Sequence, residues 1–211
     1  VARDGDDFTV VLSNKDDEGR APAESALRFF SEFSNPSKST YAWNRALPAS
    51  RDMFARGDLA VYFGYASERE GLYAQNPHLN MDVARIPQIR DEKRELTFGR
   101  VSAFAIANSS SKIGAAISAA YALTSPENAS EIAASLFVSP ARRDLLTDTP
   151  QDSFLSVFYD SALIARGFFD PNPKETYTIW KEMVENVSSA RLRVFEAVSA
   201  ASAHMSRSLG R

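Results

Sequence analysis

Apolar and polar positions alternate unevenly along this chain, and the pattern divides it into short elements. Residues 8–12 (FTVVL) form a β-branched run between charged, turn-rich segments and predict one strand. From Pro22, Ala26, Leu27, Phe29, Phe30 and Phe33 recur at helical spacing, with proline in the first turn, where its missing amide hydrogen is harmless. That helix should end before Asn35 and Pro36. Residues 34–48 (SNPSKSTYAWNRALP) read as an irregular polar loop carrying Tyr41 and Trp43. A helix is expected near residues 49–56, with Met53 and Phe54 inward and a stop at Gly57, a residue suited to a left-handed cap. Residues 59–64 (LAVYFG) then read as a buried strand, 66–75 as mixed helical, and 82–86 (DVARI) as a short strand ended by Pro87.

After a charged turn at 90–95, residues 96–107 (LTFGRVSAFAIA) predict a long strand, with Gly99 as a bulge or a point of close approach. Beyond it the pattern turns helical. Ser125, Ser139, Thr149 and Asn172 each supply a capping side chain followed by proline. Asn172 with Glu175 three residues on has the spacing of a capping box. The helix faces are Phe154, Leu155, Phe158, Ala162 and Leu163; then Ile179, Met183 and Val187; then Leu192, Phe195, Val198 and Met205. The reading is therefore α/β, mixed before Ala107 and helix-rich after it, with no internal repeat.

Composition removes several classes. At 211 residues, 44% hydrophobic and 24% charged, the chain is ordinary globular material rather than a disordered or fibrous one. Its 24 basic residues are scattered among 27 acidic ones, for a formal net charge of -3, so no footprint for nucleic acid exists. Absence of cysteine excludes disulfides, thiolate metal sites and cysteine nucleophiles together. The chain starts at Val1 without a charged and apolar leader, reads as cut at its front, and has no apolar run long enough for a membrane span. Any signal or lipid anchor is expected outside it.

Candidate chemistry is sparse. Residues 109–112 (SSSK) match the SxxK pattern in which a lysine activates a serine, but the companion KTG element is missing and a polar run before a helix is ordinary punctuation. His78 and His204 lack the second ligand at i+3 or i+4 that a helical zinc site requires. Glu68, Glu70 and Asp82 are carboxylates that could meet in space for acid and base work, though their spacing does not say so. Asp4, Asp6 and Asp7 lack the EF-hand ladder, and the sequons at Asn108, Asn128 and Asn186 matter only in a eukaryotic secretory pathway. No catalytic residue, metal or cofactor is assigned.

Aromatics are more informative. Tyr41, Trp43, Tyr62, Tyr65, Tyr73, Tyr177 and Trp180 are amphipathic rings, and several fall in loops or at strand ends. A sugar has apolar C–H faces and polar edges, so its site combines flat rings with amide, hydroxyl and charged partners. Both residues 40–45 (TYAWNR) and 63–69 (FGYASER) hold that mixture. Each single ring could equally cap the core, Trp180 above all.

The run ALRFFSEFSNPSKSTYAWNRALPASRDMFARGDLAVYFGYASE, followed by NPHLNMDVARIPQ and LTFGRVSAFAIANSSSKIGAAISAAYALTSPENA, resembles the family 1 extracellular solute-binding proteins of bacterial ABC importers. The resemblance covers nearly the whole chain and rests on the order of its parts: an F-x-x-G-x-x-A stretch (Phe54, Gly57, Ala60), a glycine and aromatic at a strand end, the VARIPQ crossing, and a glycine-bearing strand leading to a helix. It implies the C-terminal half of a two-lobed type II receptor that closes by hinge motion around a ligand and hands it to a permease. In that picture residues 1–86 belong to the C-terminal lobe, 87–138 to the other lobe, and 139–211 return.

The implied ligand-binding residues are Tyr41, Trp43, Asn44, Gly64, Tyr65, Ser67, Gly99, Arg100 and Trp180. Where relatives commonly place a tryptophan after the strand-end glycine, this chain has Tyr65, Ala66 and Ser67, which leaves Tyr65 for stacking. The expected function is capture of a mono- or oligosaccharide outside the cytoplasm, in the periplasm or anchored at the cell surface, with permease subunits as partners and no enzymatic activity. A carbohydrate-active hydrolase using scattered carboxylates and a helical protein-interaction module are the alternatives. Self-association of two copies through bare apolar faces is a further expectation.

Overall fold

The computed structural model describes residues 1–4, 7–89 and 95–209. Parts of the acidic cluster at 4–7 and of the charged turn at 90–95 lie outside the described residues. The chain opens with β1 (Ala2–Asp4) and β2 (Asp7–Thr9), paired antiparallel with Arg3 opposite Phe8. The strand expected at 8–12 is thus shorter and earlier, and its partner is the segment just upstream. Val10 and Leu12 leave the ladder to pack against helices. Next comes α1 (Pro22–Glu32), with proline in the first turn as the sequence predicts. Its apolar stripe is only half used: Leu27 is buried, whereas Phe29 and Phe30 are more than 60% exposed, at 65% and 61%.

α2 (Ser50–Arg56) ends on Gly57 at φ 83°, a backbone angle that costs a residue with a side chain about 1–2 kcal/mol. Its most buried side chain is Ala55, with Met53 and Phe54 partly covered. After a 3-10 turn at Ala66–Glu68 comes α3 (Arg69–Gln75). The buried strand expected at 59–64 and the strand at 82–86 are both absent: neither segment joins a ladder among the described residues, and Val61 and Phe63 are exposed. Of the long strand at 96–107 only β3 (Thr97–Phe98) pairs. The physical reason is common to all three, since a strand is completed by a neighbour's backbone and no described segment provides one.

The helical remainder agrees better with its pattern. α4 (Ile113–Leu123) is followed by α5 (Pro126–Ser135), whose amide at Asn128 donates to Ser125 Oγ at 3.3 Å. A 3-10 turn at Arg143–Leu146 stands where Ser139 and Pro140 suggest a helix start. α6 (Ser153–Ile164) is capped by Asp152 rather than Thr149: the carboxylate Oδ1 accepts from the amides of Phe154 at 2.8 Å and Leu155 at 3.2 Å. β4 (Ala165–Arg166) runs parallel to β3, pairing Thr97 with Ala165. α7 (Pro173–Ser188) has Asn172 at its N-cap, accepting from Glu175 N at 3.3 Å while its Nδ2 donates to Glu175 Oε2 at 2.9 Å. α8 (Val194–Ser208) closes the chain.

The described residues are therefore mostly helical, with two two-stranded sheets, rather than the α/β mixture expected before Ala107. They form two compact units. The first, residues 1–47 with 168–211, owns the core: Leu27, Ala197 and Val198 pack with Leu12, Met183, Val187 and Leu192, and Ile179, Ala201 and Met205 continue the seam. Phe195, expected inward, is 48% exposed. The second unit, residues 48–167, buries only Ala55, Ala66, Leu72, Ala133 and Pro140 among its described residues. None of them is larger than leucine.

Candidate functional site

Within the second unit, the segments 62–69 and 97–100 meet around one aromatic ring. Tyr65 lies just before the 3-10 turn and is 37% exposed; Arg100 places its guanidinium carbon 5.1 Å from the ring centre, and the Phe98 ring sits 6.4 Å away, tilted by 59°. Phe98 and Arg100 are two residues apart, which puts them on one side of an extended segment. Glu68 fixes the turn from below, since its Oε2 accepts the Tyr65 amide at 2.7 Å and its Oε1 accepts the Tyr62 hydroxyl at 3.0 Å. Burial first, and then the neighbouring Glu68 carboxylate, push the Tyr62 hydroxyl up to about 12.

Two glycines allow this approach. A Cβ on Gly64 would lie 2.6 Å from both Glu68 Oε2 and the Tyr62 ring. One on Gly99 would lie 2.7 Å from Ala165 Cβ, because the Gly99 amide bonds to the Arg166 carbonyl at 3.0 Å and brings the β3 end against β4. Gly99 is thus a close-approach glycine. Ser67 is exposed on the same turn as Tyr65.

Arg69, next along, serves packing. Its guanidinium faces the rings of Phe154 at 4.8 Å, Phe137 at 5.5 Å and Tyr73 at 5.9 Å, and its Nη1 donates to Asp152 Oδ2 at 3.1 Å. The side chain is 20% exposed and its buried Nε has no hydrogen-bond partner among the described residues. Such a partly desolvated cation over several rings ties the start of α3 to the start of α6.

The remaining expected residues lie in the first unit. The amides of Ala42 and Trp43 donate to the Phe33 carbonyl at 2.9 and 3.0 Å, folding the loop back on the end of α1. Tyr41 is 40% exposed and its hydroxyl accepts from Asn44 Nδ2 at 2.6 Å. Trp180 packs against Ile179, Ala201 and Met205 and lines an open groove of about 300 Å³ with Val10, Leu12, Pro22 and Phe168. Among the described residues Asn14 is the only side-chain amide on that groove, so these walls offer a sugar little to hydrogen-bond. Trp180 reads there as packing.

The candidate catalytic groups do not assemble. Glu68 is committed to Tyr62 and Tyr65, and the Asp82 carboxylate accepts from the next amide, that of Val83, at 2.8 Å. In the SSSK run the Lys112 amide donates to Ser110 Oγ at 3.2 Å, a turn before α4. Among the described residues no three His, Asp or Glu side chains gather to hold a metal, and no helix is long and apolar enough to cross a membrane.

Sequence reasoning placed Tyr65, Gly64, Gly99 and Arg100 in the candidate set separately; the structure brings them together. It missed Phe98 and the Tyr62–Glu68 support. The two-residue alternation of Phe98 with Arg100 was the available signal. No protein-family model and no curated protein sequence matches this chain.

Proposed function

We propose that the chain is the solute-binding component of a bacterial ABC importer, part of a two-lobed type II receptor working in the periplasm or at the cell surface, and that it takes a mono- or oligosaccharide for delivery to a permease. The observation that carries the reading is the half-exposed Tyr65 ring flanked by Phe98 and the Arg100 guanidinium. A flat apolar face beside a fixed cation with several N–H donors matches the C–H faces and hydroxyl edges of a pyranose. Capture and release require no proton-transfer pair, and Glu68, the nearest carboxylate, is already bonded to its own turn.

A thermal-shift screen against mono- and oligosaccharides, with oligopeptides and polyamines as controls, tests this. A ligand at about 100 times its dissociation constant adds about 2.7 kcal/mol of apparent stability. A response to one sugar class, weakened roughly tenfold in affinity by Tyr65→Ala and again by Arg100→Ala, is the expected result. Stabilisation by peptides or polyamines alone, or a sugar response indifferent to both substitutions, sinks the assignment.

A further inference from the structure

We infer that the saccharide taken at Tyr65 is an acidic one, whose ring carboxylate is held by the guanidinium groups of Arg100 and Arg166. The inference rests on the receptor reading and narrows its ligand class. Arg100 already stands 5.1 Å from the centre of the Tyr65 ring. Arg166 arrives from the other strand. The parallel ladder pairs it with Phe98, which sets the two Cα atoms about 4.8 Å apart and sends both side chains to one face. Phe98 and Arg100, two residues apart, share that face in turn. One side of the β3–β4 pair therefore carries a cation, an aromatic ring and a second cation, with Tyr65 against it.

Neither cation is spent on the protein. Arg69, Arg85 and Arg142, in the same unit, are matched by carboxylates. Among the described residues no carboxylate lies within 4.0 Å of the Arg100 or Arg166 guanidinium, and both side chains are exposed. Arg166 donates from Nη1 to the Ala165 carbonyl at 2.7 Å, which leaves the Nε and Nη2 donors of its fork open. The chain as a whole has a net charge of -3, so these two cations are a local feature rather than a share of a general surplus.

The chemistry of the fork selects the ligand. A guanidinium is planar and weakly hydrated, and its paired N–H groups match the two oxygens of a carboxylate. A neutral sugar offers the same donors only hydroxyl dipoles. Two like charges on one face also repel, and an anion between them relieves that repulsion. Phosphate shares the negative charge but fits less well, since its second charge doubles the repulsion from Glu68, whose carboxylate is held at the Tyr65 amide. A hexuronate combines the C–H face that Tyr65 stacks with the single charge that the arginines take.

Calorimetric titration of the full chain with glucuronate and galacturonate, beside glucose, galactose, glucose phosphate and acetate, tests the assignment. The hexuronates should bind at least tenfold more tightly than their neutral counterparts, and added salt should narrow the gap. Arg100→Gln and Arg166→Gln, both exposed and checked by their melting temperatures, should each reduce the preference, and together they should bring hexuronate and hexose within about threefold. Arg28→Gln on α1 removes the same charge elsewhere and should keep the preference. Hexoses bound as tightly as hexuronates, or a preference that survives the double substitution, would overturn the acidic ligand and leave the receptor reading standing. Tighter binding of glucose phosphate would replace carboxylate by phosphate. Acetate bound as tightly as a hexuronate, or no saccharide bound at all, would overturn the acidic ligand and the sugar receptor together.

Discussion

Tyr62 shows how much one contact can alter a side chain. Its hydroxyl donates to Glu68 at 3.0 Å from a partly buried position, and deprotonation would place a phenolate beside a carboxylate. The native pKa, about 12, lies above the ordinary value of 10.0, so the neutral hydroxyl belongs to the folded state. Its contribution to stability is complete below pH 10 and is lost as the pH rises from 10 to 12. In an ultraviolet titration of the seven tyrosines, one step should fall at about pH 12, above the ordinary value of 10.0, and Tyr62→Phe should remove that late step. A late step that survives the substitution would reassign it. The same hydroxyl was readable in the sequence only as one aromatic among several, because Glu68 reaches it through the turn at 64–66 and not through a periodic spacing.

At the scale of elements, the helices were legible and the strands were not. Proline with a preceding capping residue located α5 and α7, since those signals act through hydrogen bonds a few residues away. At α6 the same rule pointed to Thr149, yet Asp152 holds the cap because its carboxylate also has Arg69 to pair with, a contact 83 residues away. Backbone hydrogen bonds from Leu155 come first in holding the Asp152 carboxyl below its usual range, with Phe154 and Arg69 adding to the effect against some loss of hydration. Its stabilising effect is present above the unfolded carboxylate value, near pH 4, and disappears as the pH falls through the lowered native value. In urea unfolding at neutral pH, Asp152→Ala should cost about 1 kcal/mol. Asp152→Asn keeps the acceptor and loses only a partly exposed ion pair, and should cost about 0.5 kcal/mol or less. Equal losses would mean that the charge, not the cap, does the stabilising.

For the molecule as a whole, burial is distributed unequally. Val198, Ala197 and Ile179 anchor α7 and α8 in the first unit, whereas α4 has no buried residue at all. Amide exchange should follow that difference, with amides of α7 and α8 outlasting those of α4 by at least tenfold, since local opening is easiest where little apolar surface is covered. Equal protection would show that α4 is covered in solution in a way that the isolated chain does not provide.

The sequence alone determined the proline starts of α1, α5 and α7 and the left-handed stop at Gly57, because these depend on local backbone freedom and on hydrogen bonds within a turn or two; of the two readings that it left open at Gly99, a bulge or a close approach, the neighbouring β4 decided for the second. Tertiary structure decided which apolar faces are covered. Phe29, Phe30 and Phe195 carry the right spacing and remain exposed, and residues 59–64 and 101–107 carry strand-like composition without a ladder. Periodicity marks a face as able to be buried; burial itself needs a second surface, and a strand needs a second backbone, which no pattern within the strand can supply. The gathering of Tyr65, Phe98 and Arg100 is of that second kind, since it joins residues more than thirty positions apart, and Phe98 is itself held in a ladder with Arg166.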